Sequence, residues 1–277
     1  MKTAMYYFIP SNPNIISFLK NNNIKYKVDV DNLWNTPHLQ FTLYKEEVDW
    51  SEACRALPKK NACWLVFSDK ELDEAEWLTV RTTNMKVDTV DEGTYEYSCL
   101  YTGNQGQTKY AHHRKQVAPY ECSPIKWKPN NHFYSPYSGG YETIFCDDFA
   151  KDIICNHALI GAEFKEIIWR KKNIPLPNAY QMIFPHIIPE EAFIIGEYAT
   201  KVTCPMCGRV KYQNTQEFRV EIKRAFLDNS IDFYTTAEIF GDVRENYFLI
   251  ASQRAYQTLK RENLIRNLKF EPVILHD

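Results

Sequence analysis

Cys204-Pro205-Met206-Cys207-Gly208 is a cysteine knuckle, and an eroded copy of it, Cys99-Leu100-Tyr101-Thr102-Gly103, stands upstream. Two thiolates spaced by two residues can reach one tetrahedral ion, Gly208 permits the tight backbone return, and Pro205 helps fix the turn. A single Cys-x-x-Cys is half a site. The upstream copy supplies Cys99 but places Thr102 where its second thiol would stand. Zinc then has three candidate ligands, Cys99, Cys204 and Cys207. Cys122 is expected as the fourth because four-thiolate sites are the commoner structural solution, with His112 and His113 as rivals. A redox role for Cys204 and Cys207 is disfavoured: low-pKa thiols sit at helix N-termini, whereas Arg209 to Gln213 alternates like a hairpin strand.

Working outward from the knuckles, the chain matches itself. Cys99 and Cys204 lie 105 positions apart, as do Gly103 and Gly208, Ala150 and Ala255, Leu159 and Leu264, and Ile160 and Ile265. Between these anchors Phe133-Tyr134 and Phe233-Tyr234 match at a separation of 100, so insertions and deletions compensate within loops, where they cost little. After each knuckle, Lys109-Tyr110 and Lys211-Tyr212 fall on the return strand of a hairpin. Apolar strands at Ile144 to Cys146 and Phe248 to Ala251 then run into Asp147 and Ser252, both good N-cap residues, so a helix should follow each. Phe149, Ala150, Ile153 and Ile154 stripe the first helix; Ala255, Tyr256 and Leu259 stripe the second. Closing strands are expected at Glu163 to Trp169 and Leu268 to Leu275.

The first part of the chain reads differently. Strands are expected at Met5 to Ile9, Ile24 to Val30, Trp64 to Phe67 and Trp77 to Arg81, with a helix at Asn14 to Lys20. Ser68 and Glu71 have the spacing of a capping box that opens a short acidic helix. The fold class is α+β: mixed sheets with short helices, in an N-terminal α/β region (1–94), a first repeat unit (95–173), a connector rich in proline (174–197) and a second repeat unit (198–277).

Composition narrows the function classes. Hydrophobic content of 44% and charged content of 25% are globular averages, which excludes a disordered chain. No apolar run approaches the ~18 residues of a membrane helix, Met1 to Pro10 lacks the pattern of a secretory signal, and eight cysteines are too sparse for a disulfide ladder, so a cytoplasmic location is expected. A formal charge of −2 argues against general binding to a phosphate backbone. There is no Gly-rich phosphate loop, nucleophile elbow or His-Glu-x-x-His run. Asp147 with Asp148 and Glu190 with Glu191 read as caps and surface rather than acid-base pairs, and His157, His186 and His276 as isolated. The expectation is a protein that is not an enzyme.

The order of knuckle, strand and helix, second knuckle, strand and helix, ending in Phe270-Glu271-Pro272-Val273, resembles the double-CXXCG-motif immunity proteins over roughly residues 95 to 277. The stretch from Asn246 to Arg254 also looks like the closing segment of related toxin-immunity families. The resemblance implies a non-catalytic bacterial protein that binds and blocks one cognate toxin. Trp34, Trp50, Trp77 and Trp127 are then candidate anchors, with core packing the stronger expectation for most of them. A competing reading is a zinc-ribbon-like nucleic-acid or regulatory module, which needs a basic face around Arg209, Lys211, Arg219, Lys223 and Arg224.

Overall fold

The computed structural model describes residues 2–31, 36–44, 47–57, 63–83, 85–87, 89–90, 94–102, 108–136, 143–196, 199–214, 219–237, 240 and 247–277. The chain divides into one body spanning Met1–Glu71 and a second spanning Leu72–Asn214 with Arg219–Asp277. The first is built from β1 (Lys2–Pro10), α1 (Pro13–Asn21), β2 (Tyr26–Asp31), β3 (Thr36–Tyr44), α2 (Trp50–Ala56) and β4 (Cys63–Val66). Its sheet is antiparallel, in the order β2-β3-β1-β4. Alternation places Tyr7, Ile9, Leu39, Phe41 and Leu43 on the face that meets Ile15, Phe18 and Leu19 of α1. Asn12 caps α1 by accepting from the Asn14 N–H at 2.8 Å, with Pro13 at the first helical position.

Helix α3 (Asp69–Glu74) leads into the second body. Its capping box is reciprocal: Ser68 N–H donates to Glu71 Oε2 at 2.9 Å, and Glu71 N–H donates to Ser68 Oγ at 3.3 Å. Next come β5 (Trp77–Thr82), β6 (Met85–Val87), β7 (Thr89–Val90), the hairpin β8 (Tyr95–Thr102) and β9 (Thr108–Gln116), β10 (Glu121–Cys122), β11 (Phe133–Pro136), β12 (Phe145–Cys146), α4 (Asp148–Asn156), β13 (Glu163–Trp169) and β14 (Ile174–Ile183). The remainder is β15 (Ile187–Ile188), the hairpin β16 (Ala199–Thr203) and β17 (Val210–Asn214), β18 (Glu221–Lys223), β19 (Phe233–Thr236), β20 (Leu249–Ser252), α5 (Gln253–Arg261), β21 (Leu268–Pro272) and β22 (Ile274–His276). This is an α+β fold of mixed sheets and short helices.

The two halves of the second body follow one plan. Phe133 pairs with Cys146 across β11–β12, and Phe233 pairs with Ala251 across β19–β20. Helices α4 and α5 are nine residues each. Asp147 caps α4 by accepting from Ala150 N–H at 2.9 Å; Ser252 caps α5 by accepting from Ala255 N–H at 3.1 Å. Both helices end in the same left-handed turn, at Ala158 (φ 49°) and Asn263 (φ 58°), where Leu159 N–H returns to the Ile154 carbonyl and Leu264 N–H to the Leu259 carbonyl.

Contacts between the halves are reciprocal. Cys99 and Cys204 Sγ lie 3.9 Å apart, and His157 Nε2 lies 3.4 Å from Glu262 Oε1, so two pairs of matching positions touch each other. That is the signature of a two-fold relation, here inside one chain. The loop after α4 docks on the second half, where the Ile160 carbonyl accepts from the Asp232 and Phe233 N–H groups. The loop after α5 docks on the first, where Asn267 Nδ2 donates to the Phe133 carbonyl. One apolar core serves both, joining Phe133, Cys146, Ala150 and Ile154 to Phe233, Ala251, Ala255 and Tyr256.

Two expectations about organisation differ from the structure. β5, expected with the N-terminal region (1–94), belongs to the second body, antiparallel between β20 and β21. Ile174–Ile183, expected in the connector (174–197), is a ten-residue strand between β12 and β13. Prolines normally exclude an inner strand. Pro175 and Pro177 are tolerated because a register shift between Glu166 and Ile168 and the left-handed Asn178 (φ 59°) interrupt the ladder beside them.

Candidate metal centre

Each cysteine is carried by a hairpin, Cys204 and Cys207 in a turn and Cys99 within a strand. β16 and β17 pair from Ala199↔Asn214 to Thr203↔Val210, and the turn between them is Cys204 to Arg209. Cys204 N–H donates to the Arg209 carbonyl at 2.9 Å and Gly208 N–H to the Cys204 carbonyl at 3.0 Å, closing the knuckle on Gly208 at φ +72°. That conformation suits glycine because it has no Cβ. Cys99 is delivered by β8, whose partner β9 places His112 directly across from it.

The structure brings together Cys99, Cys204 and Cys207, whose sulfurs all lie within 4.8 Å of one another. A zinc–sulfur bond of ~2.3 Å implies sulfurs ~3.8 Å apart on a tetrahedron, and the 3.9 Å between Cys99 and Cys204 matches. The donor set therefore fits a thiophilic metal ion. Cys204 is buried, Cys99 half-buried and Cys207 exposed. Burial opposes ionisation of Cys204, but the backbone N–H groups of Cys207 and Met206, and the thiols of Cys207 and Cys99, outweigh it and hold its pKa below the ordinary thiol value. Cys99 moves the other way: burial and then the thiols of Cys207 and Cys204 push it up to about 11. Cys204 therefore gives up its proton more readily than Cys99, and a soft cation would bind the deprotonated thiols.

Cys122 does not join the group. It is fully buried in β10, within an apolar cluster that includes Tyr120, Tyr134, Phe145 and Ile167. The pairing of Cys122 with Thr89 and Trp169 holds it in that core. The side chains of Thr102, His112 and His113 and all of Gly103 lie outside the described residues, as do Trp34 and the side chain of Trp50. Trp77 packs edge-on against Tyr234, and Trp127 stacks on Tyr134. What sequence reasoning missed is the pair of backbone N–H groups that polarise Cys204. Their only signal was the Cys-Pro-Met-Cys spacing.

The basic face does not assemble as expected. Lys211 is fully buried, Lys223 Nζ donates to the Glu191 carbonyl at 2.9 Å, and Arg224 is bound to both Glu76 and Asp277. Among the described residues no helix is long and apolar enough to cross a membrane. No protein-family model matches the chain, and no curated protein matches it.

Proposed function

We propose that this chain is a non-catalytic binding protein of the immunity type, acting in the cytoplasm by holding one cognate protein toxin inactive, with structural zinc on Cys99, Cys204 and Cys207. The observation that supports the reading is the meeting of the two hairpins on three thiols, because the paired cysteine motifs carry the resemblance to double-CXXCG-motif immunity proteins. Zinc at this point would cross-link the two hairpins and add folding free energy rather than chemistry.

The loss of free charge at Lys211 and Arg224 weighs against the nucleic-acid alternative. Co-expression with a toxin encoded beside this gene is the test of binding. The expected result is co-purification of the two products and survival of cells that otherwise die. A pair that neither binds nor protects removes the immunity reading, whatever the metal content proves to be.

A further inference from the structure

The Cys-x-x-Cys motif alone gives little ground for redox chemistry, since no helix begins there, but the arrangement of the thiols adds what the motif does not hold. Cys99, Cys204 and Cys207 bring their sulfurs within 4.8 Å of one another, and they differ in access. Cys204 is buried, at 1% exposed, whereas Cys207 is open to solvent beside Met206, itself 67% exposed. Cys204 is also held in place: its N–H donates to the Arg209 carbonyl at 2.9 Å and its carbonyl accepts from the Gly208 N–H at 3.0 Å. Around the other end of the turn there is room, because a Cβ added at Gly208 would meet nothing within 4 Å among the described residues. Cys207 is thus the sulfur that an oxidant in solution meets, with a fixed thiol behind it. Oxidation follows exposure, and a second thiol within reach turns the first oxidation product into a disulfide.

We propose that the knuckle is a peroxide-sensitive switch, in which hydrogen peroxide joins Cys207 to Cys204 in a disulfide. The Cys207 sulfur attacks one peroxide oxygen, the O–O bond breaks, and a sulfenic acid forms while the other oxygen leaves as water with the thiol proton. The Cys204 sulfur then attacks the Cys207 sulfur, the S–O bond breaks, and the hydroxyl leaves with the Cys204 proton as a second water. Two thiols and one peroxide give one disulfide and two waters, with two electrons passing from sulfur to oxygen. Cys204 resolves the sulfenic acid rather than Cys99 because that bond adjusts a single turn with open space beside it. A bond to Cys99 would have to draw the turn toward a strand held in its ladder opposite His112. The bond does not depend on the zinc reading, but its consequence rests on it: two of the three thiols are withdrawn at once, Cys99 alone cannot keep the ion, and the two hairpins lose their link.

The test treats the purified full chain with hydrogen peroxide in two forms, zinc-loaded and stripped by chelation. Peptide mapping of both should find Cys204 linked to Cys207, with the link lost on adding dithiothreitol, and a chromogenic chelator should register zinc leaving the loaded form as the link appears. In Cys204→Ser a sulfenic acid should persist on Cys207, where dimedone traps it; in Cys207→Ser dimedone should not label Cys204, and Cys155→Ser should form the link as wild type does. Mapping of the wild-type chain decides the matter even if a variant folds poorly. A link from Cys99 to either knuckle thiol, dimedone on Cys204 in place of Cys207, or no disulfide at all would overturn the switch. Zinc kept through peroxide treatment with no link formed refutes the switch and leaves the metal centre standing. A chain that takes up no zinc yet forms the link removes the metal centre and supports the switch.

Discussion

Asp232 is the residue whose loss tests the packing of the two halves most directly. Its side chain is 1% exposed. Its carboxylate accepts from Ile160 N–H at 2.8 Å, from Ser252 Oγ at 2.7 Å and from Arg254 through Nε at 2.9 Å and Nη2. Asp232→Ala leaves four donors behind. Those of Arg254 cost little, because that side chain is 54% exposed and water can reach it. The Ile160 N–H and the Ser252 hydroxyl are less accessible, and each orphaned group costs ~1–3 kcal/mol. Adding the lost packing, Asp232→Ala should destabilise the second body by ~3–5 kcal/mol, and Asp232→Asn, which keeps one acceptor, by ~2 kcal/mol. Burial works against the Asp232 charge, but Arg254, Ser252 and Ile160 together keep its pKa lowered. A lowered carboxylate stabilises above its unfolded value of about 4, and that stability is lost as pH falls through the folded value. Wild type should therefore lose stability below pH ~4 to a degree that Asp232→Asn does not share. Urea unfolding by circular dichroism at pH 7 and pH 3, with hydrogen exchange read on Leu249–Arg261, supplies both numbers. A loss below ~1 kcal/mol in Asp232→Ala, or equal acid sensitivity in both proteins, would refute the reasoning.

Three further outcomes follow from other features. Ala158 holds a left-handed turn that glycine adopts freely, so Ala158→Gly should raise stability by ~0.5–1 kcal/mol in the same urea experiment. At Gly161 (φ +101°) an added Cβ would stand 2.3 Å from the Phe233 carbonyl oxygen, so Gly161→Ala should cost ~3 kcal/mol or more and speed exchange at both α4 and α5; unchanged exchange at α5 would contradict the docking of that loop on the second half. If the three thiols hold zinc, metal analysis should find one ion per chain, retained in Cys122→Ser and lost in Cys204→Ser, and chelation should lower the melting temperature of wild type and of Cys122→Ser but not that of Cys204→Ser.

Local chemistry made much of this legible in the sequence. The N-caps Asp147 and Ser252, the capping box Ser68 to Glu71 and the strand Glu163–Trp169 stand where short-range rules put them, because a cap or an alternation is decided within a few residues. Ligand chemistry points to Cys122 as a fourth donor, but it says nothing of which face of a strand a thiol occupies. Prolines usually break an inner strand, so Ile174–Ile183 reads in the sequence as a connector, and the bulge that admits them depends on its neighbour β13. The bond of His132 Nδ1 to Asp147 Oδ2 at 2.8 Å, the counterpart of Asp232 with Ser252, joins residues of different type at matching positions. Composition carries no trace of such an exchange, since only the position is kept.

The seating of β5 between β20 and β21 sets an order of events. A ribosome releases residues 77–82 long before 249–272, so this strand emerges without the two neighbours that must flank it. Its apolar Leu78 and Val80 wait exposed until residues 249–272 have been made. Pairings so distant in sequence close slowly, and an unpaired strand edge invites other chains in the interval. A chain cut short before Leu249 should accumulate as aggregate rather than as a smaller folded protein. Residues 249–272 thus act as the clasp of the second body, and a nascent chain becomes safe from its own kind only when they arrive.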